Sequence, residues 1–196
     1  MVHSLIDAYK FQDLIYFRFV IICMLGFTAF MRLDEILDLK VKQIQFHESF
    51  MTITIPKCKN DQTREGNIIY VAELGSKYCP VMNTAIFIQH LQLQPDHFLI
   101  CKLAKTNSGH NPIGPYRLSA SHIRMHFNGL VKAHLPQASN ISPHSLRCGG
   151  ASAAAANGAL DRIIFKHGRW KSEGARNGYI KDSISNRLSI SKKLGL

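Results

Sequence analysis

The chain has 196 residues, enough to bury one sizeable hydrophobic core, and is most simply organised as a single domain. Lysine and arginine number 24 against 13 aspartates and glutamates, and the formal net charge of +11 favours an anionic partner, either a nucleic acid or an acidic membrane surface. The five cysteines include no C-x-x-C pair, which argues against a zinc site and a disulfide framework and predicts a reducing, intracellular compartment. The longest apolar run, residues 19–31, is too short to span a bilayer.

The first half of the chain carries helical and strand patterns in turn. Residues 4–40 repeat apolar side chains at helical spacing, which predicts two helices with a brief break near Gly26. Residues 49–74 form two alternating segments around a charged turn, which predicts a β-hairpin with Met51, Ile53 and Ile55 on one face. An amphipathic helix follows from Pro80.

The next segment combines an extended piece, a loop and a basic helix. Residues 97–105 are predicted to be extended, and the glycines, prolines and asparagines of residues 106–115 predict a loop. Ser119 is expected to cap a helix that reaches about Ala133. One face of that helix carries His122, Arg124, His126 and Lys132. Two interpretations stay open for this face: contact with phosphates, or a solvated surface.

Short helices dominate the last part of the chain. Ser142 and Pro143 predict a helix start, and Asn157-Gly158 predicts its end. Asp161 is expected to cap a second helix that ends near Gly168, and a last helix from about Ser172 is expected to present Tyr179. The predicted fold class is therefore mainly α with a small antiparallel β-sheet or hairpin (α+β).

Four residues of this last part suit chemistry on a phosphodiester. His144 and Arg147 are three residues apart, so both side chains leave the same face of their helix. Trp170 and Tyr179 follow in the sequence, nine residues apart. An arginine, a histidine and a tyrosine delivered to one cleft supply cationic donors, a base and a nucleophile.

In order and spacing these residues resemble the second conserved box of the tyrosine recombinases, the phage integrase family. That box is H-x-x-R, then a His or Trp, then a tyrosine nine residues later, and His144, Arg147, Trp170 and Tyr179 fill these places. A tryptophan at the His/Trp position resembles the Cre branch. The wording GRWKSEGARNGYI is similar to recombinases of eukaryotic mobile elements of the Crypton and DIRS types.

An upstream segment resembles the first box of the same family, in which an arginine is followed three residues later by an acid. Arg32 and Glu35 fill these places. On its own such a pair is more often a surface ion pair, but the second box behind it in the correct order favours the functional interpretation. The family also keeps a catalytic lysine on a β-hairpin. Lys59 occupies that position here and Lys57 is the close alternative, although a hairpin lysine is ordinarily a solvated charge.

The reaction that the resemblance implies is DNA strand exchange through a 3′-phosphotyrosyl intermediate, with Tyr179 as the nucleophile. Arg32 and Arg147 would bind the non-bridging phosphate oxygens and Trp170 would donate from its indole. His144 would act as a base or hold the phosphate, and Lys59 would protonate the departing 5′-hydroxyl. Glu35 is expected to orient Arg32. No metal ion or other cofactor is implied.

The implied partner is double-stranded DNA, and no membrane is expected. Non-specific contacts to the DNA backbone are assigned to basic residues outside the reaction centre: Lys40, Lys42, Lys57, Arg64, Arg124 and Arg169. The C-terminal segment after Tyr179 would dock onto a neighbouring subunit in a dimer or tetramer on DNA, or else be a frayed terminus. The protein would be intracellular and DNA-associated, and nuclear if the host is eukaryotic.

The resemblance covers nearly the full chain and implies one catalytic domain over residues 1–196. The helical DNA-clamping (SAM-like core-DNA-binding) domain that usually precedes it is expected to be absent. A catalytically silent or truncated, domesticated DNA-binding module is therefore the alternative function. A relaxing enzyme like the type IB topoisomerases is a third hypothesis, because it shares the chemistry.

Overall fold

The computed structural model describes residues 6–7, 13–56, 67–106, 109–137, 141–180, 188 and 191. The described chain is mostly helical, with a three-stranded and a two-stranded antiparallel sheet, which confirms the predicted fold class. The helices are α1 (Leu14–Thr28), α2 (Leu33–Leu37), α3 (Pro80–His90), α4 (Ala120–His134), α5 (Pro143–Ala156), α6 (Asp161–Gly168) and α7 (Glu173–Asn177). The strands are β1 (Ile44–Phe46), β2 (Phe50–Ile55), β3 (Asn67–Ala72), β4 (Cys101–Thr106) and β5 (Gly109–Arg117).

Helix α1 is the centre of the fold because it is apolar on every side and buried almost throughout. It runs unbroken through Gly26, so the predicted break there is wrong, and the chain leaves the helix only after Thr28. A side chain at Gly26 would meet Leu146 of α5 at 3.1 Å, and one at Gly150 would overlap the Phe27 carbonyl oxygen. These two glycines let α1 and α5 cross in close contact, which brings the end of α1 beside the H-x-x-R helix.

The three-stranded sheet contains the predicted hairpin and one further strand. Strands β2 and β3 pair antiparallel with Met51 opposite Val71 and Ile53 opposite Ile69, and all four side chains are buried against the helices. The short strand β1 pairs with β2 on its other edge. The turn between β2 and β3, residues 57–66, lies outside the described residues.

The predicted loop at residues 106–115 is wrong, because most of it is strand β5, paired with β4. Two prolines remove backbone donors from β5, which normally argues against a strand. Each strand of a two-stranded sheet has one unpaired edge, so a position without a donor can face away from the partner strand. The pairing also slips between Cys101 and Leu103, and Gly114 has a positive φ of 50°. These irregularities let the proline-containing segment pair.

The last helices follow their predicted signals with two corrections. Ser119 and Ser172 accept hydrogen bonds from backbone N–H groups in the first turns of α4 and α7. Helix α6 begins at Asp161 itself, after Leu160, so Asp161 lies in the first turn where a carboxylate favours the positive helix end. Tyr179 does not lie on a helix, because α7 ends at Asn177 and Tyr179 follows in the next turn.

Candidate active site

The first-box residues lie where the chain turns from α1 into α2. The backbone N–H of Arg32 donates to Oε2 of Glu35 at 2.8 Å, and Nη1 of Arg32 donates to Oε1 at 3.0 Å. The carboxylate thus holds both ends of the same residue. Half of the Arg32 side chain stays exposed, so its remaining donors can meet an anion from solvent.

Arg147 is the most enclosed of the described charged side chains, with no measurable exposure. Its guanidinium donates to the carbonyl oxygens of Phe30 and Gly168, which come from the turn after α1 and the end of α6. Burial, together with the positive charges of Arg32 and Arg169, lowers the pKa of this guanidinium to about 10. Arg147 therefore stays charged at neutral pH and joins two chain segments across the site.

The turn at Phe30 is strained in order to supply one of these acceptors. Phe30 has a φ of 48°, in the left-handed region that a residue with a side chain rarely adopts. Its carbonyl oxygen receives hydrogen bonds from Arg147 and, at 3.4 Å, from Arg169. No local signal in the sequence marks Phe30, because the strain is offset by partners more than 100 residues away.

Trp170 packs over Arg147 and is only 5 % exposed. The guanidinium carbon of Arg147 lies 4.9 Å from the indole centroid, within range of a cation–π contact. A side chain at Gly168 would overlap the indole ring, so glycine is required for the indole to fold back over the end of α6. Among the described residues, the buried indole Nε1 has no hydrogen-bond partner. The expected donor is thus present and unused.

Tyr179 and His144 meet on the outer side of Arg147. The Tyr179 ring centroid lies 5.0 Å from the Arg147 guanidinium carbon, 5.0 Å from the His144 ring centroid and 5.3 Å from the Trp170 ring centroid. Its backbone carbonyl accepts a hydrogen bond from Ser152 at 3.3 Å. The structure thus brings together all four residues of the second-box pattern, with the tyrosine half-buried above the arginine.

Arg169 lies inside the protein, whereas the sequence interpretation placed it among the DNA-backbone contacts. Its side chain is 7 % exposed and Nη2 donates to Oε2 of Glu35 at 2.8 Å. Nη1 donates to the Ala29 carbonyl at 3.3 Å. The residue itself has a φ of 55°. Glu35 therefore bridges Arg32 and Arg169, and this pairing, rather than solvent, compensates the Arg169 charge.

His167 is a neighbour of the site that packs structurally. Its Nε2 lies 2.9 Å from the Thr28 carbonyl oxygen, and its ring packs edge-on against Phe30 at 4.6 Å. Burial lowers its pKa. His167 therefore supports the turn after α1. Trp170, rather than His167, packs its ring on the Arg147 guanidinium.

The remaining basic residues of the prediction fall into two groups. Lys42 pairs with Asp96 at 2.6 Å, Lys40 lies 5.6 Å from the Phe98 ring centroid, and Arg124 is exposed on α4. The other group lies outside the described residues: Lys57, Lys59 and Arg64, together with most of the chain after Ile180.

Among the described residues, no group of three or more histidine, cysteine, aspartate or glutamate side chains has the arrangement of a metal site. No helix in the same part of the chain is long and apolar enough to cross a membrane.

The protonation of His144 gives a first prediction. Partial burial lowers its pKa below the ordinary value of 6.5, and the positive charges of Arg147 and Arg32 lower it further, so the imidazole is neutral at neutral pH. In an NMR titration we expect the His144 midpoint below 6.5, moving upward in Arg32→Met because one positive neighbour is lost. Lys42→Met, at an exposed ion pair, should leave it unchanged. A midpoint above 6.5 in the wild type would contradict this.

The described chain has the fold of a tyrosine recombinase catalytic domain, mostly helical with two small antiparallel sheets. The model of the phage integrase family matches residues 2–185, and the chain belongs to this family. No curated protein matches the chain.

Three solved structures illustrate the likeness of fold. The XerH site-specific recombinase, in a post-cleavage complex with its palindromic difH substrate, is 16 % identical with a TM-score of 0.71, covering 98 % of this chain and 49 % of XerH. The XerA recombinase is 21 % identical with a TM-score of 0.69, covering 98 % and 60 %. A lambda integrase dimer bound to a COC′ core site is 13 % identical with a TM-score of 0.61, covering 92 % and 46 %. The chain thus spans about half to three fifths of these proteins.

Proposed function

We propose that the chain is the catalytic domain of a site-specific DNA recombinase or integrase that cleaves and rejoins DNA through a 3′-phosphotyrosyl intermediate. The observation that carries the proposal is the position of Tyr179, whose ring lies 5.0 Å from both the Arg147 guanidinium carbon and the His144 ring centroid. A phenol, a charged guanidinium and a neutral imidazole in contact are the groups needed to attack a phosphodiester. Family membership supports the same reaction.

Each group has a distinct task in this reaction. Arg32 and Arg147 would neutralise the non-bridging oxygens, whose charge repels attack, by planar paired hydrogen bonds. His144 would take the phenol proton of Tyr179, because a phenol is a weak nucleophile until a base removes its proton. Lys59 would donate a proton to the 5′-oxygen as its bond to phosphorus breaks, so that it leaves as a hydroxyl. The phosphotyrosine bond conserves the energy of the broken phosphodiester bond. Rejoining can therefore proceed by the reverse of these steps.

The buried position of Arg147 requires a movement before chemistry. Tyr179 covers the outer side of a guanidinium that has no exposed surface, so a phosphate can reach Arg147 only after the tyrosine shifts. Helix α7, directly before Tyr179, has only five residues and includes Gly174, and Gly178 is its C-cap. Such a short, glycine-containing helix is weak, which supports a nucleophile that swings between a resting and a docked position.

The decisive experiment traps the covalent intermediate on a nicked suicide substrate. The wild type should form a DNA adduct that survives denaturing electrophoresis, and Tyr179→Phe should form none, because the nucleophilic oxygen is missing. Tyr116→Phe, at an exposed tyrosine on β5, is the matched control and should form the adduct normally. DNA binding by the wild type without any adduct would overturn the enzyme assignment and favour a silent DNA-binding module.

Two finer assignments belong to the same proposal. Trp170 at the His/Trp position supports placement in a Cre-like branch, because its indole packs on Arg147 as a donor-bearing ring. The segment GRWKSEGARNGYI around it supports a relationship to the recombinases of Crypton and DIRS elements. A nuclear location would follow if the host is eukaryotic.

Self-association on DNA through the C-terminal segment is also part of the proposal. A largely apolar groove of about 630 Å³ lies between β3, α5 and α6, beside the site, and offers a seat for the tail of a second copy. Its walls include Tyr70, Ala153, Ala154, Ile163 and His167. Light scattering of DNA complexes should show dimers or tetramers for the full chain and monomers for a version ending at Ile180. Equal masses for both would contradict this role of the tail.

A further inference from the structure

A second charged concavity lies near the other end of α1 from the candidate active site. This second pocket, of about 560 Å³, is enclosed by α1, the β4–β5 hairpin and the first turns of α4. Arg18 and Thr28 are separated by ten residues of helix, which is roughly 15 Å, so the pocket is separate from the Arg32 and Arg147 cluster. The charged and polar residues in its walls are Arg18, Lys102, Arg117, Ser119, His122 and His126.

Arg18 is the feature that points to a ligand. Its side chain lines the pocket, yet the residue is only 5 % exposed. Nη1 donates to the Cys101 carbonyl oxygen at 3.0 Å, while the buried Nε has no hydrogen-bond partner among the described residues. A buried guanidinium with an unused donor is costly unless an acceptor completes it. An anion entering the pocket would bring negative charge beside this nearly buried guanidinium.

The surroundings of Arg18 are positive and poor in acids. The rings of His122 and His126 lie 4.4 Å apart, and the pKa of His122 is lowered by burial and then by His126, Arg18 and Lys102. Among the residues that the structure describes, no carboxylate lines the pocket. Asp13 is near enough to act on Arg18 but lies outside that lining.

The positive charge of Arg117, another residue of the walls, is already compensated by two aspartates. Its Nη2 donates to Asp34 at 3.0 Å and its Nε donates to Asp38. Within the described part of the chain, the remaining positive charges of the pocket walls therefore belong to Arg18 and Lys102, on α1 and β4. The two histidines add N–H donors beside them.

We propose that the second pocket binds a phosphate group, held by Arg18, Lys102 and His122. The phosphate has two possible sources: the backbone of bound DNA or a free phosphate-bearing small molecule. The DNA source rests on the proposed function, whereas phosphate binding itself does not. Of the basic residues on the α4 face, His122 and His126 line this pocket and Arg124 does not.

The first arm of the test measures inorganic phosphate binding by calorimetry at constant ionic strength. All proteins carry Arg32→Met, which weakens competing binding at the candidate active site. Adding Lys102→Ala with His122→Gln should weaken phosphate binding at least tenfold. Adding Lys105→Ala instead should not, because Lys105 is exposed on the same strand but does not line the pocket. Equal affinities for these two proteins, or no binding by the Arg32→Met protein, would overturn the proposal.

The second arm identifies the source from DNA affinity at several salt concentrations, with Arg32 intact. If a backbone phosphate occupies the pocket, the Lys102→Ala, His122→Gln protein should show a slope of log affinity against log salt that is smaller by about 0.9 than that of Lys105→Ala. If the pocket serves a small ligand, the two slopes should agree while the first arm still shows the loss. Absence of any DNA binding would refute the proposed function and leave the phosphate result standing.

Discussion

Arg147→Met should destabilise the protein by roughly 3 kcal/mol or more and abolish formation of the DNA adduct. Methionine fills much of the volume but donates no hydrogen bond, so the carbonyl oxygens of Phe30 and Gly168 would be left buried without a donor. Each such loss costs about 1–3 kcal/mol. The adduct would be lost because one of two cationic donors to the phosphate is gone, an effect of about 100-fold to 1,000-fold for comparable donors. Urea unfolding and the suicide substrate measure the two effects.

Two further substitutions separate structure from charge at this position. Arg147→Lys keeps the positive charge but cannot reach both carbonyl oxygens from a single ammonium, so we expect it to lose most of the stability and the activity. Arg124→Met removes an exposed arginine of α4 and should change stability by less than about 0.5 kcal/mol. If Arg147→Met were as stable as Arg124→Met, the assignment of Arg147 as the link between α1 and α6 would be wrong.

Local signals in the sequence account for most of the helices. Ser119 and Ser172 cap their helices through their own hydroxyl groups, and α5 stops at Asn157-Gly158, where Gly158 adopts a φ of 82°. Each signal acts within one helical turn, so the sequence contains the whole cause. Gly26 shows the limit of such reasoning. It looks like a helix breaker, but the helix runs through it, and the absent side chain leaves room for Leu146 of α5.

The candidate site was predictable as a set of residues but not as an arrangement. Spacing along the second box placed His144, Arg147 and Tyr179 near one another, because His144 and Arg147 lie on α5 and Tyr179 follows the two short helices α6 and α7. The burial of Arg147 and the inward direction of Arg169 depend on carbonyl groups of residues 29–30, supplied by another part of the chain. Only the folded structure brings these groups together.

The second large effect is expected for Arg169→Gly. The sign of the change in unfolding free energy shows whether the Arg169 side chain stabilises the fold. At a φ of 55° glycine relieves roughly 1 kcal/mol of backbone strain, so loss of a passive side chain would stabilise the protein. We expect instead a loss of roughly 2 kcal/mol or more in urea unfolding, because the nearly buried ion pair with Glu35 and the bond to the Ala29 carbonyl disappear.

The same substitution should lower adduct formation more than DNA binding, because Glu35 holds Arg32 through two hydrogen bonds and Arg169 holds Glu35. A double-mutant cycle with Glu35→Gln isolates this link, since each single change breaks the same pair and the double change should cost less than their sum. Additive losses would mean that the two residues act independently. If Arg169→Gly were more stable than the wild type, Arg169 would contribute only backbone strain. Glu35 would then orient Arg32 without help from Arg169.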